Sequence, residues 1–571
     1  MATVGVVAAM VTGTAGAGAA VAVAPQQTTT TVAVSDREVY LGTPVTVTAT
    51  VTAAAGVPSG SVTFTVIGTD WVERAVPLVD GVATLVVDDL VPGPNRVAAN
   101  YPGADGFAPS EDWSYQLFVD VAEFVPPVVT SLSPEVVAAG ETVHIYGSHF
   151  RDASVTFGGV PVTPVQIASY FVAVKVPVHS STGSVPVVVT TPAGTSTTVA
   201  LTIVDTTGGI VAQTPVRIHS GPGNTDGSTC LQVAGKGTVP AGASGVILNV
   251  TTTRVWQPGY VVVFPDTLGS EPVPSTSTVN FEPGSDVANT AFVALPNGRI
   301  CYRTSTPQVQ VLLDVTGFTM ADSGIELRAP VRLLDTRTSG PVPAGSVQTV
   351  QVSGRAGVPS DAAAVIVNAT VTGITGVGNL RVFPAGQPVP NASVVNYAPG
   401  KDKANSTIVT LPSSGKLSFL SDTGGSTAHV ILDVAGYVTA GGAYQGVTPT
   451  RVLDTRPGRV GGLDGPLQPR TAYTVELPST MVPSGATSVV LNVTAIAPPS
   501  LGHLRVYPSA SGAVVPWAST LNYIPGRDIP NLVVVALPDS GPATVKLYSD
   551  MVAPRGTVHI AADVAGFVVA P

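Results

Sequence analysis

Three stretches decide the fold: VILNVT at 246–251, VIVNAT at 365–370 and VVLNVT at 489–494. Each is an apolar run of strand length that carries one asparagine, Asn249, Asn368 or Asn492. Working outward, each is preceded by a related opening, PVRIHSG from Pro215, PVRLLDTR from Pro330 or PTRVLDTR from Pro449. Each is followed by a strand and turn, YVVVFP to Pro265, LRVFP to Pro384 or LRVYP to Pro508. Next come STVNFEPGSDVAN, SVVNYAPGKDKAN and STLNYIPGRDIPN, and the copies close on VLLDVTGF, VILDVAGY and HIAADVAGF. Self-similarity at a period of about 115 residues makes this a triplication of one domain. Its boundaries are 211–320, 328–440 and 447–570.

Composition agrees with an all-β chain. At 571 residues, and roughly 100 to 200 residues per domain, several domains are expected. Charged residues are 11% of the chain, with 60 glycines and 51 prolines, against about 25% charged in an ordinary soluble protein. Low charge with 44% apolar residues excludes a disordered tail and a helical bundle with a Glu/Lys face. It suits short strands joined by turns. The net charge of −10 leaves no basic patch for counterion release, so nucleic acid is excluded as a partner.

Upstream of the triplication, PVTVTATVT (44–52) alternates with the two-residue period of a half-buried strand, and SVTFTVIG and GVATLVVDDL repeat that rhythm. Seven or so such strands describe a β-sandwich. The frame Pro58-x-Gly60-x-Val62-x-Phe64, Leu78, Gly81-x-Ala83, Leu90-x-x-Gly93 and Tyr101-x-Gly103 with Phe107 and Ser110 resembles the bacterial Ig-like repeat of surface proteins, over 28–122. A second signature spans 124–205: Pro127, Ser131-x-Ser133-Pro134, Gly140, Val143-x-Ile145-x-Gly147, Phe150 and Val155-x-Phe157-Gly158-Gly159. It resembles the IPT/TIG family, which implies a compact Ig-like sandwich acting as an extracellular spacer or binding module without catalytic residues. The triplicated region resembles the all-β repeats with an "LDTR" start and a "DVAGY" end found in secreted and wall-associated proteins of high-GC Gram-positive bacteria, which implies an actinobacterial source. Arginines outnumber lysines 20 to 6, in keeping with GC-rich codons.

The first 24 residues hold no charged side chain and end in Ala22-Val23-Ala24. They read as a secretory leader cleaved after Ala24, although the positive start of a leader is missing. The rival reading is a weakly hydrophobic membrane anchor. Export makes Cys230 and Cys301 a candidate disulfide closing a loop of about 70 residues, worth about 4 kcal/mol in the chain-entropy model; the alternative is two buried thiols.

Asp314, Asp433 and Asp563 sit in apolar runs in every copy, as do Arg217, Arg332 and Arg451 at the strand starts. A buried carboxylate needs a cation or several N–H donors, so each Arg is expected to pair with its Asp as a structural ion pair. Calcium binding is the rival, weakened by the lack of neighbouring oxygen ligands. Asp335-Thr336-Arg337 and Asp454-Thr455-Arg456 occur in copies two and three, where His429 and His559 stand four residues before the closing Asp. In copy one both are replaced, by Ser220-Gly221-Pro222 and Gln310. Their joint loss suggests a polar cluster of Asp335, Arg337 and His429, and of Asp454, Arg456 and His559. No G-x-S-x-G elbow accompanies them, so the cluster reads as a structural network before a hydrolase.

The N-[FY]-x-P-G-x-D-x-x-N loop supplies the candidate ligand-binding residues: Asn280, Phe281, Asp286 and Asn289; Asn396, Tyr397, Asp402 and Asn405; Asn522, Tyr523, Asp528 and Asn531. Asn and Asp beside Pro-Gly commonly bond the turn's own backbone. An aromatic beside amide and carboxylate groups also suits a sugar or wall polymer. No phosphate loop, HExxH or CxxC occurs, so neither cofactor nor metal is expected. The sequons at Asn249, Asn368 and Asn492 read as structural asparagines.

The sequence therefore describes a secreted, all-β, non-enzymatic rod: tandem Ig-like β-sandwich domains followed by three homologous all-β domains. Surface display or adhesion is the expected role, with cell-wall or extracellular polysaccharide or a surface protein as partner and no membrane after leader removal. A glycan-binding array is the alternative, and hydrolase activity a third reading.

Overall fold

The computed structural model describes residues 24–569 apart from 69–70, 114–117, 178–182, 205, 207–208, 269–271, 423, 511–512 and 552–555. The leader expected at 1–24 lies, but for Ala24, outside the described residues. Among those residues the regular structure is β throughout, with one 3-10 turn at Thr336–Thr338.

In the first sandwich, Thr28–Val34, Val45–Ala53 and Val82–Val87 form one sheet. Strands Glu38–Tyr40, Phe118–Ala122, Gly93–Tyr101, Ser61–Ile67 and Trp71–Pro77 form the other, with Ser110–Asp112 beside Gly93–Tyr101. The alternation seen at 44–52 becomes burial: Val45, Val47, Ala49 and Val51 face the core while the threonines between them do not. The second sandwich sets Val128–Ser133, Thr142–Ser148, Phe171–Lys175 and Pro164–Ala168 against a sheet centred on Val199–Val204 and Gly183–Thr191. Gly147 is required there, because a Cβ would lie 1.8 Å from the Val128 carbonyl oxygen. Arg151 joins the two sandwiches, donating to the carbonyls of Val39 (2.8 Å) and Asp120 (3.1 Å) and to the Asp120 carboxylate (3.2 Å). On the other side, Glu141 Oε1 accepts from the Gly242 N–H of the first repeat at 2.5 Å.

Each repeat is a two-sheet sandwich built to one plan. In repeat one, Ile210–Pro222, Gln310–Met320, Ala243–Thr253 and Val287–Ala294 form the inner sheet in that order. Thr229–Gln232, Arg299–Thr304, Gly259–Pro265 and Val279–Phe281 form the outer one. The same orders recur in repeats two and three. The first and last strands of each repeat are hydrogen-bonded neighbours, so every repeat closes on itself.

The three repeats do not continue as a rod. They close into a pseudo-threefold body whose shared core contains Ile210, Ile247 and Phe292 of repeat one, Ile325, Ile366 and Ile408 of repeat two, and Tyr444, Val490 and Leu532 of repeat three. This corrects the linear arrangement expected from the sequence. The inner sheet has two apolar faces: Val246, Leu248 and Val250 pack on the repeat's own core, while Ile247 faces the shared one. Burial on both faces explains why VILNVT and its counterparts lack alternation. At the linker end of the axis, Gly324 meets Gly442 so closely that a Cβ on it would stand 2.6 Å from the Gly442 Cα.

Candidate functional site: the seams between the repeats

The strand-start arginines and closing aspartates are direct cross-strand partners. Arg217 Nε donates to Asp314 Oδ1 at 2.7 Å, Arg332 Nε to Asp433 at 2.5 Å and Arg451 Nε to Asp563 at 2.5 Å. The three carboxylates are 0 to 1% exposed. Burial pushes them above the usual carboxylate range, and the arginines only partly offset it. Next along the inner sheet, Asn249, Asn368 and Asn492 stand opposite those aspartates. An Arg-Asp-Asn row therefore crosses each sheet on its seam-facing side.

Those asparagines are half of a closed ring. Asn289 of repeat one donates to Asn368 Oδ1 of repeat two (2.9 Å), Asn405 to Asn492 of repeat three (2.9 Å), and Asn531 to Asn249 of repeat one (3.0 Å). The oxygens of the same three residues accept backbone N–H groups across the seams: Ser406 to Asn289, Leu532 to Asn405 and Thr290 to Asn531. Each also donates to a carbonyl of its own repeat, Thr278, Val394 or Thr520. The row asparagines complete the pattern by donating to Ser519, Ser277 and Ser393, each 2.6 Å away in a neighbouring repeat.

This geometry corrects the sugar-stacking reading of the Pro-Gly loops. Phe281, Tyr397 and Tyr523 are buried in the cores of their repeats and present no ring face to solvent. Tyr397 and Tyr523 turn their hydroxyls to Ser421 and Ser549 instead. Asn289, Asn405 and Asn531 are consumed by the ring. What remains at the surface is the other end of each motif. Asn396, Asn522 and Asp286 line a small cavity on the pseudo-threefold axis with Lys403, whereas the side-chain nitrogen of Asn280 is buried without a partner.

The polar cluster is corrected in one respect. His429 and His559 approach Thr336 and Thr455, at 3.4 and 3.1 Å, rather than the neighbouring Asp or Arg. The aspartates are already occupied. Asp335 takes the Arg337 guanidinium at 2.9 and 2.6 Å, the Arg337 N–H and Arg332 Nη1, and Asp454 repeats the arrangement with Arg456 and Arg451. The hydrogen bonds from Arg337 hold Asp335 down at about 2. Burial opposes the same effect at Asp454, whose pKa is also lowered. Thr336 and Thr455 meanwhile accept the N–H groups of Val430 and Ile560. In repeat one the substitutes also touch, Gln310 donating to Ser220 at 3.2 Å, and Cys230 is bonded to its cross-strand partner Cys301, with Cα atoms 4.0 Å apart.

Sequence reasoning passed over Lys403, Arg527 and His503. Lys403 and Arg527 occupy positions that differ between copies, so comparison of the repeats hid them. Burial and Arg505 lower the His503 pKa against the opposing pull of Asp550 and Asp286.

Two segments match known domain families. Residues 30–121 match the bacterial Ig-like domain (group 3) and residues 127–203 the IPT/TIG domain, in agreement with the two resemblances in the sequence. No curated protein matches the chain. Among solved structures, an SGBP-B from a complex xyloglucan utilization locus in Bacteroides uniformis is 13% identical, with 72% of this chain and 99% of that chain covered and a TM-score of 0.18. The Bacteroides ovatus mixed-linkage glucan utilization locus SGBP-B, in complex with a mixed-linkage heptasaccharide, is 12% identical, with 69% and 93% covered and a TM-score of 0.16. TM-scores this low carry no argument about this chain's arrangement or ligand.

Proposed function

We propose that the protein is a non-enzymatic, secreted surface protein in which two Ig-like sandwiches carry a three-repeat head for display or adhesion at the cell envelope. The observation that supports this most directly is the use made of the repeated polar residues. The Arg-Asp rows, the asparagine ring and the Asp-Thr-Arg turns direct their hydrogen bonds to neighbouring protein groups, with Asp433 Oδ2 alone among the described row carboxylate oxygens buried without a partner. Groups bound in this way rigidify a fold; a catalytic base instead needs a free edge toward substrate. The extracellular, wall-associated setting rests on the character of the leader and on the LDTR and DVAGY resemblance. No helix among the described residues is long and apolar enough to cross a membrane.

Fractionating the producing cells into wall, medium and cytoplasm tests the reading. The chain is expected in wall or medium, beginning after Ala24; recovery of the full chain from the cytoplasm alone would reject it. The hydrolase alternative predicts an activity lost on His429→Ala or His559→Ala with folding unchanged. The glycan-binding alternative gains support from a groove at one seam, developed next.

A further inference from the structure

The three seams share their asparagines but not their charges. Where repeat two has Lys403, repeat one has Val287 and repeat three Ile529; where repeat three has Arg527, the others have Ser285 and Lys401. Lys403 and Arg527 meet across the seam between repeats two and three, in a groove of about 500 Å³. Its other walls include Asn379 and Asn396, which are cross-strand neighbours, the apolar Val377 and Ile529, and Asp528.

Three of the groove's polar side chains are unspent, while Asn379 Oδ1 accepts from Arg381 Nε at 3.0 Å. Among the described residues, the side chains of Lys403, Arg527 and Asn396 have no hydrogen bond or ion pair, whereas the Arg217, Arg332, Arg337, Arg451 and Arg456 guanidiniums are all paired. Two unpaired cations facing one half-buried groove are a costly arrangement that an anion would relieve. Burial, with Arg527 and Lys401 adding and Glu282 opposing, lowers the Lys403 pKa to about 8. Asp528 accepts the Ala497 N–H through Oδ1, and its second oxygen is open to a hydroxyl donor. A simple inorganic anion would meet that carboxylate as a repulsion. A ligand bearing both a carboxylate and hydroxyls would satisfy cations, amide and Asp528 together, with Val377 and Ile529 against its less polar face. The volume falls within the usual range for small-ligand sites.

We propose that the groove between repeats two and three is a binding site for a carboxylate-bearing saccharide of the uronic acid class, one per chain. The site deepens the glycan-binding alternative and gives the surface protein a specific ligand chemistry, so it rests on that reading of the envelope.

Isothermal titration calorimetry of the full chain with glucuronic acid, digalacturonic acid, glucose, acetate and inorganic phosphate tests it. A single site is expected for the uronates, with glucose and acetate each at least tenfold weaker. A preference for digalacturonic acid over the monomer would indicate a polymer as the source, and equal affinity a free sugar acid; either supports the site. Lys403→Val and Arg527→Ser, which install the repeat-one residues, should each weaken uronate binding at least tenfold while leaving the urea midpoint unchanged. Binding should also fade as the pH rises past about 8, where Lys403 loses its proton beside Arg527, Lys401, Glu282, Asp528 and, across the axial cavity, Asp286. No uronate binding, equal binding of glucose, tighter binding of phosphate, or indifference to both substitutions would overturn the proposal. Wall fractionation is an independent readout: a wall-associated chain that fails to bind uronate loses the site and keeps the surface role.

Discussion

The asparagine ring makes Asn405→Ala the most informative substitution. Asn405 donates to Val394 O (2.8 Å) and Asn492 Oδ1 (2.9 Å) and accepts from the Leu532 N–H (3.2 Å). Truncation leaves two acceptors and one backbone donor without their Asn405 partner, in a seam where Asn405 itself is 1% exposed. A buried polar group left unsatisfied costs about 1–3 kcal/mol. The three share one site and relax together, so the total falls at about 3–6 kcal/mol rather than the plain sum. Because the closed ring couples the repeats, the loss should appear as seam opening. Every 1.4 kcal/mol is a factor of about ten, so the Leu532 amide should exchange with deuterium roughly 100-fold faster or more, alongside a lower urea midpoint for the repeat region. Asn95→Ala is the control. Asn95 makes a comparable set of bonds, to Val91 and Gly93, entirely within the first sandwich, and should leave exchange at Leu532 unchanged. A loss below about 1 kcal/mol for Asn405→Ala, with Leu532 exchange at the wild-type rate, would refute the ring as the fastening of the repeats.

Asp335 has its pKa lowered to about 2, so the folded state holds its proton less tightly than the unfolded chain. Its contribution is present above pH 4 and is lost as pH falls through about 2. Asp335→Asn should flatten the acid limb of stability by about 1 kcal/mol, the scale of a partly exposed ion pair, in urea titrations from pH 5 to 2. Arg151→Ala removes the guanidinium bonds between the sandwiches and leaves those from the Tyr40 hydroxyl to the residue-151 carbonyl and to Asp152, so limited proteolysis is expected to cut faster between residues 122 and 127 while the melting of each sandwich is preserved. Gly324→Val places a branched side chain at φ +68° against Gly442. Backbone strain of about 1–3 kcal/mol should lower the repeat-region transition in a thermal scan. Tyr444→Phe deletes the 2.9 Å hydrogen bond to Ala565 O in the shared core, for a loss of about 1 kcal/mol in the same scan.

Much of the molecule was legible one residue at a time. The alternation at 44–52 dictated a strand with one dry face because side chains on a strand point alternately to its two sides. The three openings and three closings marked repeats whose ends would meet, and Arg217 and Asp314, with their counterparts, could be matched because an apolar strand gives a carboxylate few other partners. Comparing copies also has a blind side. It draws the eye to what is kept, so it favoured the scaffold asparagines and aromatics and hid Lys403 and Arg527, whose interest lies in being unmatched.

What the sequence determined by itself was local: strand period, turn chemistry, the two Ig-like segments and the triplication. Only the tertiary structure decided that the repeats close on one another. The apolar runs at 246–251, 365–370 and 489–494 are compatible with any arrangement that covers both faces of the inner sheet. Periodicity records how much of a strand is dry and not which neighbour keeps it dry. The choice was made by Asn289, Asn405 and Asn531 finding partners in other repeats, contacts between residues 79 to 282 positions apart, and only the folded chain brings such residues together.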